Sequence, residues 1–363
     1  MRATPSSVQP STPQPAVPAQ IARNRRAIRW WLYGICLLVL AMVVVGGATR
    51  LTESGLSITE WKPIHGAIPP LSVAEWEEEF AKYRQIPQYE ILNKGMSLEE
   101  FKTIFWWEWG HRLLGRVIGL AFFVPLVIFW AKGMIEPWLK PRLVLGLVLG
   151  GLQGALGWYM VASGLVDRID VSQYRLAAHL TLACVIFAWL FWIARRLAPR
   201  RLPTSEEVRR LMPVGNLFLA LVLLQIFLGG LVAGLNAGFT FNTWPLIDGQ
   251  IIPKGLFVMD PLWVNLFENV MTVQFQHRMT AYVLVIVAVL LWLRTRSASR
   301  DKVLLMPARH ILGFVVLQVV FGIGTLVMQV PLHLALWHQA FAVIVLGAAI
   351  DYLAALKGEY PAR

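Results

Sequence analysis

Charge is scarce in this chain: acids are absent from the first 29 positions, Asp, Glu, Lys and Arg together make up only 15% of the 363 residues, and there are two cysteines. A chain that is 57% hydrophobic with so little charge does not describe a soluble fold of this size. Cys36 and Cys184 both fall inside apolar runs, so no loop disulfide and no CxxCH haem attachment is available, and each reads as a small packing residue. The acid-free leader is rich in Pro, Ser and Arg, which predicts a disordered tail over 1–29. Its proline spacing spoils the amphipathic helix that an organellar presequence would need.

What the chain does have is long apolar blocks. The mean hydropathy is +0.58. Eight spans are expected near 30–48, 106–131, 143–163, 174–194, 214–234, 268–293, 310–328 and 332–353, each long enough to cross about 30 Å of hydrocarbon. The formal net charge of +12 follows from topology: with the N-terminus inside, the inner segments hold most of the 33 Lys and Arg. That positive-inside bias predicts two cytoplasmic termini and removes any need for a nucleic-acid partner; the lipid bilayer is the partner the composition implies.

The chain repeats itself. GGATRLTESGLSITEWKPIHGAIPP, after the first span, matches GGLVAGLNAGFTFNTWPLIDGQIIP, after the fifth: a shift of 183 superposes Gly46 on Gly229, Gly47 on Gly230, Gly55 on Gly238 and Trp61 on Trp244. A shift of 166 puts His111-Arg112 on His277-Arg278, and one of 165 puts Gln153 and Gly157 on Gln318 and Gly322. The recurrence also argues against reading the first span as a cleaved signal peptide. The fold class expected is therefore an all-α membrane protein of eight transmembrane helices, arranged as two tandem, pseudo-two-fold-related four-helix bundles. The halves are 30–197, with an outer loop at 49–105, and 214–356, joined by a cytoplasmic linker at 198–213. In the outer loop SVAE (72–75) and SLEE (97–100) fit capping boxes, and Trp76, Phe80 and Tyr83 share one helical face, which suits a small helical cap or an ordinary solvated loop.

Four of the seven histidines, His111, His179, His277 and His338, fall on alternate spans near the outer side. Two facing imidazoles suit axial ligation of a haem iron, with a single transition-metal ion as the competing use. His333, five residues before His338, lies on a different helix face; His310 reads as structural and His65 as a loop residue aligned with Asp248. Glu108 lies one turn from His111 on the same face, while the second half has Gln274 there. A carboxyl within a span is unfavourable by about 2.5 to 3.5 kcal/mol, and only one half accepts it. That predicts proton-coupled chemistry in the first half and an electron-carrying haem in the second, against the alternative that Glu108 simply pairs with Arg112. Arg112, Arg116 and Arg278 are candidates for haem propionates or for interhelical ties.

These residues resemble the haem A synthase family, including its mitochondrial assembly-factor members. The likeness rests on GGATRLTESGLSITEWKPIHGAIPP, EFAKYRQIPQYE and FWWEWGHRLLGR, joined by AAHL at His179, QHR at His277 and WHQ at His338, and covers nearly all of the chain after the tail. It implies a membrane oxidoreductase that converts a methyl group of haem O to a formyl group through a hydroxymethyl stage, making haem A for terminal oxidases. It further implies haem b on His277 and His338, the substrate haem on His111 and His179, Glu108 as the functional acid, and haem O synthase and oxidase assembly as partners. Some members carry a cysteine pair in outer loops, which this sequence lacks. A bacterial inner membrane is expected, with the mitochondrial inner membrane as the alternative; a homo-oligomer is compatible. A diheme electron-transfer cytochrome would use the same four histidines but does not explain why Glu108 is replaced by Gln274 in the repeat; a haem transporter is separated by whether haem is altered or only moved, and a proton-coupled transporter using the histidines as a relay by the absence of haem absorption.

Overall fold

The computed structural model describes residues 18–62, 65–165, 169–198 and 206–358. Twelve α-helices run along them: α1 (Ala19–Leu51), α2 (Val73–Tyr83), α3 (Pro87–Ile91), α4 (Leu98–Ala131), α5 (Lys140–Ala162), α6 (Gln173–Arg196), α7 (Glu206–Arg209), α8 (Met212–Gly234), α9 (Asn265–Glu268), α10 (Val270–Ala298), α11 (Lys302–Val327) and α12 (Leu332–Lys357). Among the described residues there is no strand beyond one bridge between Ile247 and Gln250. Eight helices, α1, α4, α5, α6, α8, α10, α11 and α12, are long and apolar enough to cross a membrane, so the chain is a multi-pass membrane protein.

Helices α1, α6, α8 and α12 pack on one another at the centre, and α4, α5, α10 and α11 lie outside them. Burial follows this order: 72% of the apolar window of α12 is enclosed against 6% of that of α5. Leu32, Leu190, Phe218 and Leu346 meet in the shared core, while Leu120, Val148, Leu152 and Val320 face outward as a lipid-contacting surface must. α10 packs along α11, but α4 and α5 meet only over a short stretch.

Two expectations change. Residues 1–17 of the anticipated tail lie outside the described residues, but from Ala19 the chain is helix, not disordered tail. The stretch AQIARNRRAI has no proline and is built from good helix formers. It is also anchored: Ile28 is buried, and the Arg25 guanidinium grips Glu136 through two hydrogen bonds of 2.7 Å. Helix α4 begins at Leu98, eight residues before the expected span, so its first turns stand above the apolar window. Of the 198–213 linker, 199–205 lie outside the described residues, and the rest holds α7 and the start of α8.

The early start of α4 comes from its cap. The Ser97 side chain accepts from Glu100 N and the Glu100 carboxylate accepts from Ser97 N, and Ser72 and Glu75 do the same for α2. Trp76, Phe80 and Tyr83 are buried against the protruding end of α4: Phe80 stacks on Phe101 with ring centres 4.9 Å apart, and Trp76 meets Phe105 edge-on at 4.9 Å. Each such side chain stabilises the contact by roughly 1.5 to 3 kcal/mol. The outer loop is thus a packed helical cap. Its polar rim is tied by Lys82, whose ammonium reaches Glu60, Glu78 and Glu79 and holds the Glu78 carboxyl below its ordinary range, while Lys62 and then Lys82 hold that of Glu60 down.

Candidate functional site

Each of the four histidines is seated against a glycine of a neighbouring helix. A Cβ built on Gly46 (α1) would lie 3.2 Å from Nε2 of His111 (α4), and one on Gly157 (α5) 3.0 Å from Cε1 of His179 (α6). The second half repeats this: Gly229 (α8) would approach His277 (α10) to 3.2 Å, and Gly322 (α11) would approach His338 (α12) to 2.8 Å. The glycines leave the room in which the imidazoles sit, since a methyl group at 2.8 to 3.2 Å would displace them.

His277 and His338 face one another with ring centres 6.3 Å apart and planes at 79°. A metal bonded to both rings at roughly 2 Å per nitrogen requires ring centres roughly 6 Å apart, so the spacing of the pair fits a metal between the rings. His338 Nδ1 donates to the carbonyl of Gln318 at 3.2 Å, which leaves Nε2 as the nitrogen able to accept or to bind a metal. His277 is held from the other side. The Gln225 amide donates to its backbone carbonyl at 3.0 Å and lies 3.3 Å from Nε2, while Nδ1 is buried without a hydrogen-bond partner.

In the first half, His179 repeats that pattern: Gln153 donates to its carbonyl at 3.0 Å, approaches Nε2 at 3.3 Å, and leaves Nδ1 buried and unpartnered. His111 is seated on Gly46 of α1, and α1 packs directly against α6, which carries His179. All four rings are partly accessible, as side chains lining a space are. Their donor sets, two neutral imidazoles per half with no acid or thiolate between them, suit a haem iron; among the described residues no cluster of three or more His, Cys, Asp or Glu could hold a bare metal ion.

Glu108 is 2% exposed. Its Oε2 accepts from the Ser57 hydroxyl and the Ile58 amide, both at 2.8 Å, and its Oε1 accepts from Arg112 at 2.6 and 3.0 Å. Arg112 then donates to the carbonyls of Ile58 and Glu60 at 2.8 and 3.0 Å. Acid and arginine together clasp the segment after α1. The pairing with Arg112 weighed against a proton role is therefore present in the structure.

Gln274 and Arg278 make the matching clasp. Gln274 Nε2 donates to Ala237 and Thr240 at 2.8 and 2.6 Å, its Oε1 accepts from Arg278 at 2.9 Å, and Arg278 reaches the carbonyls of Phe241 and Thr243 at 2.7 and 2.9 Å. Arg116 donates to the carbonyl of Lys62 at 3.0 Å. All three arginines, taken as candidates for propionates or ties, spend guanidinium hydrogens on loop carbonyls. His65 and His333 are exposed, away from the paired rings.

Several contributors were not singled out beforehand: the four glycines as ring seats, Gln153 and Gln225 as ring holders, and Ser57 as a carboxylate partner. Gly46, Gly157 and Gln153 had a signal, since each falls on its counterpart in the repeat. Gln225 had none, because the position that matches it is Met42.

Helical spans, imidazoles seated on glycines and a packed helical cap define a multi-pass membrane protein. The chain belongs to the COX15-CtaA family, cytochrome oxidase assembly protein, whose model matches residues 29–350. It is 56% identical over 339 residues to the Heme A synthase of Mesorhizobium japonicum, covering 93% of each chain. Against the Heme A synthase of Chelativorans sp. identity is 56% over 340 residues, again 93% of each. Against that of Agrobacterium fabrum it is 55% over 342 residues, 94% of this chain and 93% of the other.

Proposed function

We propose that this protein is a haem A synthase, a membrane oxidoreductase that oxidises a methyl group of haem O to a formyl group, through a hydroxymethyl stage, to give haem A. The observation that carries this reading is the set of imidazole seats, His277 with His338 and His111 with His179, of which only the second has an acid one turn away, Glu108. Membership of the family and extensive identity to relatives of that name support it.

His277 and His338 hold haem b, which when bound supplies one-electron transfer. His111 and His179 hold the substrate macrocycle. Glu108, held by Ser57, Ile58 and Arg112 one turn above His111, is the proton acceptor of the first half and fixes the segment that covers the site. Haem O is apolar and carries an isoprenoid tail, so it enters from the bilayer, and the short contact between α4 and α5 offers the side opening. Haem O synthase supplies the substrate and terminal oxidase assembly consumes the product. The protein belongs in the bacterial inner membrane with both termini cytoplasmic, and the two halves act as tandem bundles.

The test is expression with and without haem O synthase, followed by identification of the extracted haems. Haem A should appear only when haem O is supplied, with haem b present in both cases. Recovery of haem b alone under both conditions would reduce the protein to an electron carrier, and unaltered haem O would make it a carrier of haem.

A further inference from the structure

Below the histidines, toward the side on which the described chain begins and ends, a cavity of about 270 Å³ opens between α1, α6, α11 and α12. Its walls include Phe187, Phe191, His310, Phe314, Gly347 and Asp351. Phe187 and Phe191 stack at 5.5 Å with planes 9° apart, and His310 stacks on Phe314 at 5.7 Å and 21°. Asp351 is not loose: Arg195 Nη2 holds one carboxylate oxygen at 2.5 Å while its Nη1 donates to the Tyr33 hydroxyl at 3.2 Å.

The duplication makes this cavity informative. At the positions of the first half that match His310 and Asp351 stand Leu145 and Trp192, and Gly347 and Ala348 are matched by Ala188 and Trp189. Where the imidazole, the carboxylate and the space occur in one half, the other has aliphatic and indole groups. The polar groups are therefore not a requirement of the scaffold, and a polar cluster within a span marks function.

We propose that this cavity binds the head group of a membrane quinone, with the His310 imidazole donating to one ring oxygen, the Asp351 carboxylate accepting from a ring hydroxyl of the reduced form, and the isoprenoid tail leaving past the exposed His310 into lipid. The volume lies just below the roughly 300 to 1,000 Å³ of pockets that enclose whole small molecules, so it suits one ring rather than a larger body. Two flat aromatic pairs favour a planar ring. An acyl chain would need no imidazole and no carboxylate. A quinone takes up or releases two electrons together with two protons, and the wall of this cavity holds an imidazole and a carboxylate, both groups that exchange protons. Along α12 the cavity runs from Val343 to Asp351, roughly 8 to 20 Å from His338 at the helical rise. Binding stands on this geometry alone; use of the quinone as the electron partner of the His277–His338 site rests on the function proposed above.

The test uses the full-length protein, purified with its haem and placed in phosphatidylcholine nanodiscs. An azido-benzoquinone with a short isoprenoid tail is photolysed on it and the labelled peptides are mapped; equilibrium binding of ubiquinone-1 is measured in parallel. Label should fall on the α11 and α12 peptides that carry His310 and Asp351 and be displaced by ubiquinone-1. His310→Leu, which installs the residue of the matching half, should weaken ubiquinone-1 binding at least tenfold with unchanged haem absorbance. Gly347→Leu, which narrows the cavity beside Phe187 without altering a polar group, should do the same. Label spread over the lipid-facing helices and not displaced, displacement by oleate as effective as by ubiquinone-1, or equal affinity in all three proteins would overturn the proposal. Haem extraction reports separately on the enzymatic reading, so either can fail alone.

Discussion

Glu108 and Gln274 stand at matching positions of the two halves and clasp their loops with opposite hydrogen-bond polarity. Glu108 accepts from a hydroxyl and an amide of the segment after α1, whereas Gln274 donates to two carbonyls of the segment after α8. Each takes a hydrogen bond from the arginine one turn on, Arg112 or Arg278. The exchange of acid for amide is thus matched to the backbone it faces, and the carboxylate resides in only one half.

Swapping these residues should expose the difference. Glu108→Gln loses the charge that pairs with Arg112, a change of about 1.5 to 3 kcal/mol for a hydrogen bond to a charged group. Limited proteolysis between 51 and 62 should accelerate, and haem A formation should fall below one tenth while haem b is retained. Gln274→Glu turns a buried carboxylate on the carbonyls of Ala237 and Thr240, so it should destabilise the second half and deplete haem b. A Glu108→Gln protein that binds haem normally and makes haem A at full rate would remove the proton-acceptor role.

The glycine seats predict effects confined to one half. Gly322→Ala puts a methyl carbon 2.8 Å from His338 Cε1, and Gly46→Ala puts one 3.2 Å from His111 Nε2. Both rings are hemmed in by packed helices, and overpacking of this kind destabilises by about 1 to 3 kcal/mol. Absorption and electron paramagnetic resonance spectra should show loss of haem b ligation in Gly322→Ala alone. Gly46→Ala should keep that signal and lose binding of added haem O. Identical spectra from the two variants would contradict separate seats.

Much of this was legible from residue order. Long apolar blocks gave the eight spans, and the recurrence of Gly46, His111 and Gln153 at fixed shifts marked matched positions before any contact was known. Capping serines 72 and 97 announced α2 and α4, but a hydropathy window could not see that α4 starts at Leu98. Its first turns are amphipathic, and they are held by packing on Trp76 and Phe80 rather than by lipid. The leader was misjudged from Ala19 on because composition averaged a proline-rich stretch with a helical one whose anchor, Glu136, lies 111 residues away. Gln225 was invisible for a similar reason: only folding brings it to His277, and its counterpart Met42 offers no hydrogen bond. The same holds for the cavity at Asp351, which needs Arg195 and Tyr33 from distant spans.

The ring holders separate side-chain from backbone support. Gln225→Leu removes the amide that steadies His277, and changes of this type lower metal-site affinity by about 10- to 100-fold. Haem b should be lost faster to apomyoglobin in that variant, and the midpoint potential of the haem that remains should move. Gln318→Leu should not behave alike. His338 leans on the backbone carbonyl of Gln318, and the side-chain Oε1 of that residue is buried without a partner, so haem transfer should match the parent protein.

At the opposite face, Arg25 and Glu136 give a pH signature. The Glu136 carboxyl is held below its usual range of about 4.5, first by its hydrogen bonds from Arg25 and then against the opposing effect of burial. A carboxyl depressed on folding stabilises fully above its unfolded pKa, and that contribution is lost as pH falls through the folded one. Both side chains are mostly covered, at 14% and 20% exposure, and the contact is a two-pronged one, so Glu136→Gln should destabilise by about 1 kcal/mol at neutral pH. Thermal unfolding in nanodiscs should show the variant melting below the parent at pH 7 and the two converging as the buffer is acidified below the ordinary carboxyl range, the sense required if protonation and amidation remove the same contact. Were the gap instead to widen on acidification, the anchor of the α1 leader to the α4–α5 loop would have to lie in some other pair.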